Sequence, residues 1–142
     1  MQRILGIDFG EKRIGLAVSD PERRLAVALA TVRRTSDSQA IRQIIEAALQ
    51  LEIGLFVMGE PLNLDGSRGP AAVRASSFAR KLAAESGLPV EMTDETLTSV
   101  EAEERLREAG IDPRRHPEKV DATAAQILLQ QHLDESSSRP DD

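Results

Sequence analysis

The sequence predicts an α/β protein built on a mixed five-stranded sheet with helices on its faces. Three strand-like runs separated by short turns open the chain, which calls for antiparallel pairing. Strand-like and helix-periodic stretches then alternate, which adds parallel strands through helical crossovers. At 142 residues without cysteine, the chain suits one disulfide-free domain with a full core.

The first three strands read as Ile4–Asp8, Arg13–Val18 and Leu25–Val32, with turns at Gly10–Lys12 and Asp20-Pro21-Glu22-Arg23. Ser36-Asp37-Ser38-Gln39 is a capping-box pattern that starts a helix with the stripe Ile41, Ile44, Ile45, Ala48 and Leu49. Leu55-Phe56-Val57-Met58 is wholly apolar, as a strand buried on both faces requires. The loop from Gly59 to Gly69 is rich in turn formers. A second helix spans Pro70 to Ser86, stopped by Gly87. Leu88–Thr93 is the last strand. Thr98-Ser99-Val100-Glu101 caps a third helix ending at Gly110, and a fourth runs from Glu118 to Leu133. The order βββαβαβαα is the topology of the ribonuclease-H-like fold, which places acids at strand ends and on the last helix. Residues 1–133 form the predicted domain, and the serine-containing acidic tail 134–142 is predicted to be disordered.

Composition narrows the chemistry. The absence of cysteine excludes thiolate zinc sites and cysteine nucleophiles, and two histidines, His116 and His132, are too few for a histidine-built zinc centre. No apolar run is long enough to span a membrane and no signal peptide is evident, so a cytosolic protein without a membrane partner is expected. The net charge of −6 argues against tight non-specific nucleic-acid binding, although not against a local basic patch. With no Trp or Tyr and three Phe, base stacking on aromatic side chains is not expected.

Asp8 ends the first strand, and Gly10 lets the backbone bend away at once. A lone carboxylate in a strand pattern is costly unless something pairs with it, and a cation is the obvious partner. The competing reading is a turn former bonded to its own backbone. Asp121 shares a helical stripe with Ala124, Ala125 and Leu128, expected to face the sheet, where the small alanines permit close approach. A favourable acid at a helix N-terminus would explain its position but not its face. Asp94 and Glu95 follow the last strand, and either is a candidate ligand. Glu60, just beyond the buried strand, is a further acid or a solvated loop residue. Lys12 and Arg13 flank the Asp8 turn, and Arg114, Arg115 and Lys119 precede Asp121, where a phosphate backbone would lie. Arg68 and Arg74 add candidate contacts. Carboxylates of this kind hold Mg²⁺ or Mn²⁺ through oxygen ligands and support in-line phosphodiester hydrolysis without a protein nucleophile.

Four motifs together resemble the YqgF/RuvX family, the Holliday-junction-resolvase-like proteins also described as pre-16S ribosomal RNA nucleases. They are Gly6-Ile7-Asp8-Phe9-Gly10 with Arg13-Ile14-Gly15 and Ala17-Val18, Gly59-x-Pro61-Leu62-Asn63-x-Asp65-Gly66, Asp94-Glu95-x-Leu97-Thr98 with Glu101-Ala102, and Lys119-Val120-Asp121-x-x-Ala124-Ala125. The resemblance spans about residues 3–133. It implies a ribonuclease-H-like, divalent-metal nuclease with Asp8, Glu95 and Asp121 as metal ligands, and Asn63 near the site. It implies maturation of the 5′ end of 16S ribosomal RNA, with cleavage of four-way DNA junctions as the alternative. The chain departs from the family at Thr96, where most members carry Arg, and at Glu60, where most carry an apolar residue. The sequence leaves monomer and homodimer open. It also leaves two other classes: an actin-like phosphate-binding lobe, which would need a second lobe, and a non-catalytic nucleic-acid-binding module.

Overall fold

The computed structural model describes residues 2–61, 63, 65–94 and 98–137. The elements follow the expected order: β1 (Arg3–Asp8), β2 (Arg13–Ser19), β3 (Ala26–Arg33), α1 (Asp37–Gln50), β4 (Ile53–Glu60), α2 (Pro70–Ser86), β5 (Val90–Asp94), α3 (Thr98–Glu108) and α4 (Pro117–Ser137). They form one sheet in the order β3-β2-β1-β4-β5. β2 is antiparallel to β1 and β3, whereas β1, β4 and β5 run parallel. The short turns force the first arrangement and the helical crossovers the second.

Strand pleating assigns each residue of β1 to a face. Leu5 and Ile7 join Ile14, Leu16, Phe56 and Met58 in a core closed by α1 and α2, where Ile41, Ile44, Phe78 and Leu82 are buried. Ile4, Ala17 and Val57 face the other way and pack on Ala125, Leu128 and Leu129 of α4. Full burial of a side chain such as Phe56 or Phe78 contributes about 1.5–3 kcal/mol. The α4 face mixes larger aliphatics with small residues, Gly6, Ala17 and Ala125, at the close contact. A Cβ on Gly6 would lie 2.8 Å from the Leu129 Cβ, so the helix sits almost on the backbone of the sheet.

Three details differ from the sequence reading. Leu49 is 77% exposed rather than part of the α1 stripe. Successive i+4 steps from Ile41 advance by about 40° each, and the second carries position 49 past the sheet. α4 is buried on two sides, because Ala124 and Ile127 pack on Ala102 of α3 while Ala125 and Leu128 meet the sheet. It also continues through residues 134–137, one turn into the predicted tail. Leu133 anchors that turn in the core, Gln130 donates to Asp134 at 3.0 Å, and no Gly or Pro interrupts it. Residues 138–142 lie outside the described residues.

Candidate active site

The carboxyl ends of β1, β4 and β5 lie at one edge of the sheet, where Asp8, Glu60 and Asp94 end their strands. In open α/β sheets that edge is where ligands bind. Asp8 stands opposite Gly15 across the β1–β2 pair, and directly opposed residues present their side chains to the same face. The face is that of α4: a Cβ on Gly15 would lie 2.0 Å from the Asp121 carbonyl oxygen. Gly15 therefore seats the first turns of α4 against β2, and that seat brings Asp121 beside the end of β1. Thr31 Oγ1 donates to the Glu118 carbonyl and holds the same end of the helix to β3. Further along α4, Gln126 and Gln130 bond the backbone at Arg24 and Ala26.

Asp121 is mostly buried and accepts a hydrogen bond from Arg13 Nε at 2.6 Å. The sequence offered both residues as candidates but gave no sign of their pairing across the chain. Gly15 was legible only as a motif letter; a glycine inside a strand is nevertheless the signal of a close backbone approach.

Asp8 and Asp121 are two oxygen donors of the kind a hard divalent cation takes. Among the described residues no group of three or more His, Cys, Asp or Glu side chains is arranged to hold a metal ion. Glu95, the third expected ligand, lies outside the described residues, as do Thr96 and Leu62 of the motifs.

Glu60 points to the α2 side of the sheet, by alternation from buried Met58, and pairs with Arg68 at 2.5 Å. Arg68 also reaches Ser76 and the Ala72 carbonyl, so its guanidinium braces the loop onto α2. Asn63 donates to Ser67 Oγ at 2.9 Å and helps to close the same loop. Lys12, Arg114, Arg115 and Lys119 are exposed. Arg114 and Arg115 approach Asp112 at 3.5 and 3.9 Å. That acid is held below the usual carboxylate range, first by the Arg114 backbone N–H. Arg74 pairs with Glu11 at 2.6 Å on the opposite side of the β1–β2 turn from Asp121.

The model of the RuvX family, described as Holliday junction resolvase, matches residues 2–135. The chain belongs to the RuvX family. A relative from Anaeromyxobacter sp. strain K is 47% identical over 132 residues, covering 93% of this chain and 96% of its own. One from Chloroflexus aggregans is 44% identical over 133 residues, covering 94% of each chain. Both are named "Putative pre-16S rRNA nuclease". Among solved structures, T. thermophilus RuvC in complex with a Holliday junction substrate superposes with a TM-score of 0.63 at 16% identity, over 96% of both chains. Fowlpox virus resolvase with its junction DNA gives 0.57 at 13% identity, over 97% of this chain and 100% of that one. This RuvX-family chain thus has the ribonuclease-H-like fold that its strand order predicts. No helix among its described residues is long and apolar enough to cross a membrane.

Proposed function

We propose that this chain is a divalent-metal-dependent nuclease that hydrolyses phosphodiester bonds in the 5′ precursor segment of 16S ribosomal RNA. The reading is carried by the Gly15 seat, which sets the backbone of Asp121 against the residue paired with Asp8 at the sheet edge. The naming of relatives at 44–47% identity over nearly the whole chain supports the choice of substrate. Asp8 and Asp121, with Glu95 as third donor, would hold Mg²⁺ or Mn²⁺. Bound there, such an ion supplies charge neutralisation at the phosphate and an acidified water. The protein's own part is positional. The strand fixes Asp8, the α4 seat fixes Asp121, and nearby cations orient the nucleic-acid backbone.

The family's description favours one second reading, cleavage of branched DNA. Both are tested by incubating the protein with labelled precursor RNA and with a labelled four-way junction, each with Mg²⁺ or Mn²⁺. Cleavage of the precursor near the mature 5′ end is expected. Cleavage confined to the junction would establish the second reading instead.

A further inference from the structure

We propose that the cavity bordered by Lys12, Arg13, Arg33 and Glu118 is a phosphate subsite for the substrate strand, and that Arg13 couples it to Asp121. The coupling rests on Asp121 being a metal ligand; the subsite does not. The cavity has a volume of about 330 Å³ and also touches Thr31. It lies on the α4 side of the β1–β2 turn, the face of the sheet that Asp8 shares with Gly15 and the start of α4. Three cations and one acid border it, on a chain whose net charge is −6; Asp121 pairs with Arg13 from beside it, and Lys12 and Arg33 form no ion pair among the described residues. That acid, Glu118, is already engaged with His116 at 3.4 Å. Arg33 is exposed and stands directly across from Arg13 in the β2–β3 register. Two arginines side by side repel one another, and an anion between them relieves the repulsion.

Arg13 has a second task. It lies two residues before Gly15 and so points to the α4 face. Its Nε donates to Asp121 Oδ2 at 2.6 Å, and among the described residues it makes no other side-chain hydrogen bond or ion pair. A guanidinium carries five N–H donors in a planar fork, so one edge can hold the carboxylate while the others meet phosphate. Arg13 is thus a positioning residue: it fixes the orientation of Asp121, as outer-shell partners do for metal-binding carboxylates.

The test uses the full-length protein and two readouts besides cleavage. One is Mn²⁺ affinity by calorimetry without nucleic acid. The other is the affinity of a short single-stranded RNA in EDTA at several salt concentrations. Arg33→Ala should leave Mn²⁺ affinity unchanged and flatten the RNA salt dependence by about 0.7, the contribution of one phosphate contact. Arg13→Ala should weaken RNA binding and also lower Mn²⁺ affinity by about 10–100-fold. Arg13→Lys should retain the salt slope and still lose Mn²⁺ affinity, because an ammonium lacks the fork. An unchanged slope in Arg33→Ala would overturn the subsite. Unchanged or tighter Mn²⁺ binding in Arg13→Ala would overturn the coupling, provided that Asp121→Asn abolishes Mn²⁺ binding. If Asp121→Asn binds Mn²⁺ as the parent does, the metal reading fails and the coupling with it, while the salt slope in EDTA still decides the subsite.

Discussion

At the scale of single residues, Gly15 and Asp8 set the geometry of the site. Gly15→Ala would drive a Cβ into the Asp121 carbonyl, 2.0 Å away, where the obstruction is backbone and cannot rotate aside. The substitution should destabilise the fold by about 1–3 kcal/mol and displace Asp121, as urea unfolding and Mn²⁺ calorimetry would show. Stability and metal affinity both at the parental level would mean that α4 is not seated on this glycine. Asp8→Asn should behave in the opposite way. Removing one negative charge from a sheet edge that also carries Glu60 and Asp94 lowers repulsion there, so the metal-free protein should be as stable or slightly more stable while cleavage is lost. Unfolding of Asp8→Asn in metal-free buffer would make that carboxylate structural instead. Asp8 was legible in the sequence because an acid closing an apolar strand before a glycine is a local signal. The Arg13–Asp121 bond was not, because it joins residues 108 positions apart and depends on how α4 lies on the sheet.

At the scale of elements, α1 shows how a local code and a tertiary contact combine. Ser36 caps the helix as the sequence indicated, accepting from the Gln39 backbone N–H at 3.1 Å. The reciprocal arm differs, because the Gln39 side chain bonds Thr35 rather than the cap residue. Asp37, in the first turn, pairs with Arg34 at 2.6 Å and with Lys81 of α2 at 2.9 Å, which no sequence pattern announced. Burial disfavours the Asp37 carboxylate, but the Lys81 and Arg34 hydrogen bonds outweigh it and hold its pKa below the usual value. A depressed carboxylate contributes stability that is present above its unfolded pKa, about 4, and lost as pH falls through the lower folded value. Asp37→Asn should therefore flatten the loss of stability below about pH 4, measured by urea midpoints across that range. A parental pH profile in Asp37→Asn would show that the pair with α2 contributes nothing. Element type and order were legible throughout, since periodicity and turn residues are local. Element ends were not: what carries α4 past Leu133 is tertiary anchoring rather than composition.

At the scale of the whole molecule, an acidic chain must hold a polyanion through a few placed cations. The Arg114–Arg115 segment is exposed beside the start of α4, its guanidiniums no closer than 3.5 Å to Asp112. Replacing both arginines with Ala should weaken binding to RNAs of different sequence alike and flatten the salt dependence by about 1–2 units, with Mn²⁺ affinity retained. An unchanged slope would move the substrate path to the β1–β2 turn alone. The fold was readable from strand order, and the candidate acids were readable singly, but the placement of Asp121 against the residue paired with Asp8 required the sheet register and the Gly15 seat. If Asp8 and Asp121 together hold the ion that makes the chain a nuclease, cutting needs both carboxylates. Cleavage of labelled 16S precursor RNA by the parent, Asp8→Asn and Asp121→Asn, with Mn²⁺ and with excess EDTA, tests it most directly. Cutting is expected from the parent with Mn²⁺ alone and from neither variant; undiminished cutting in EDTA, or by both variants, would rule out an ion held by these two acids.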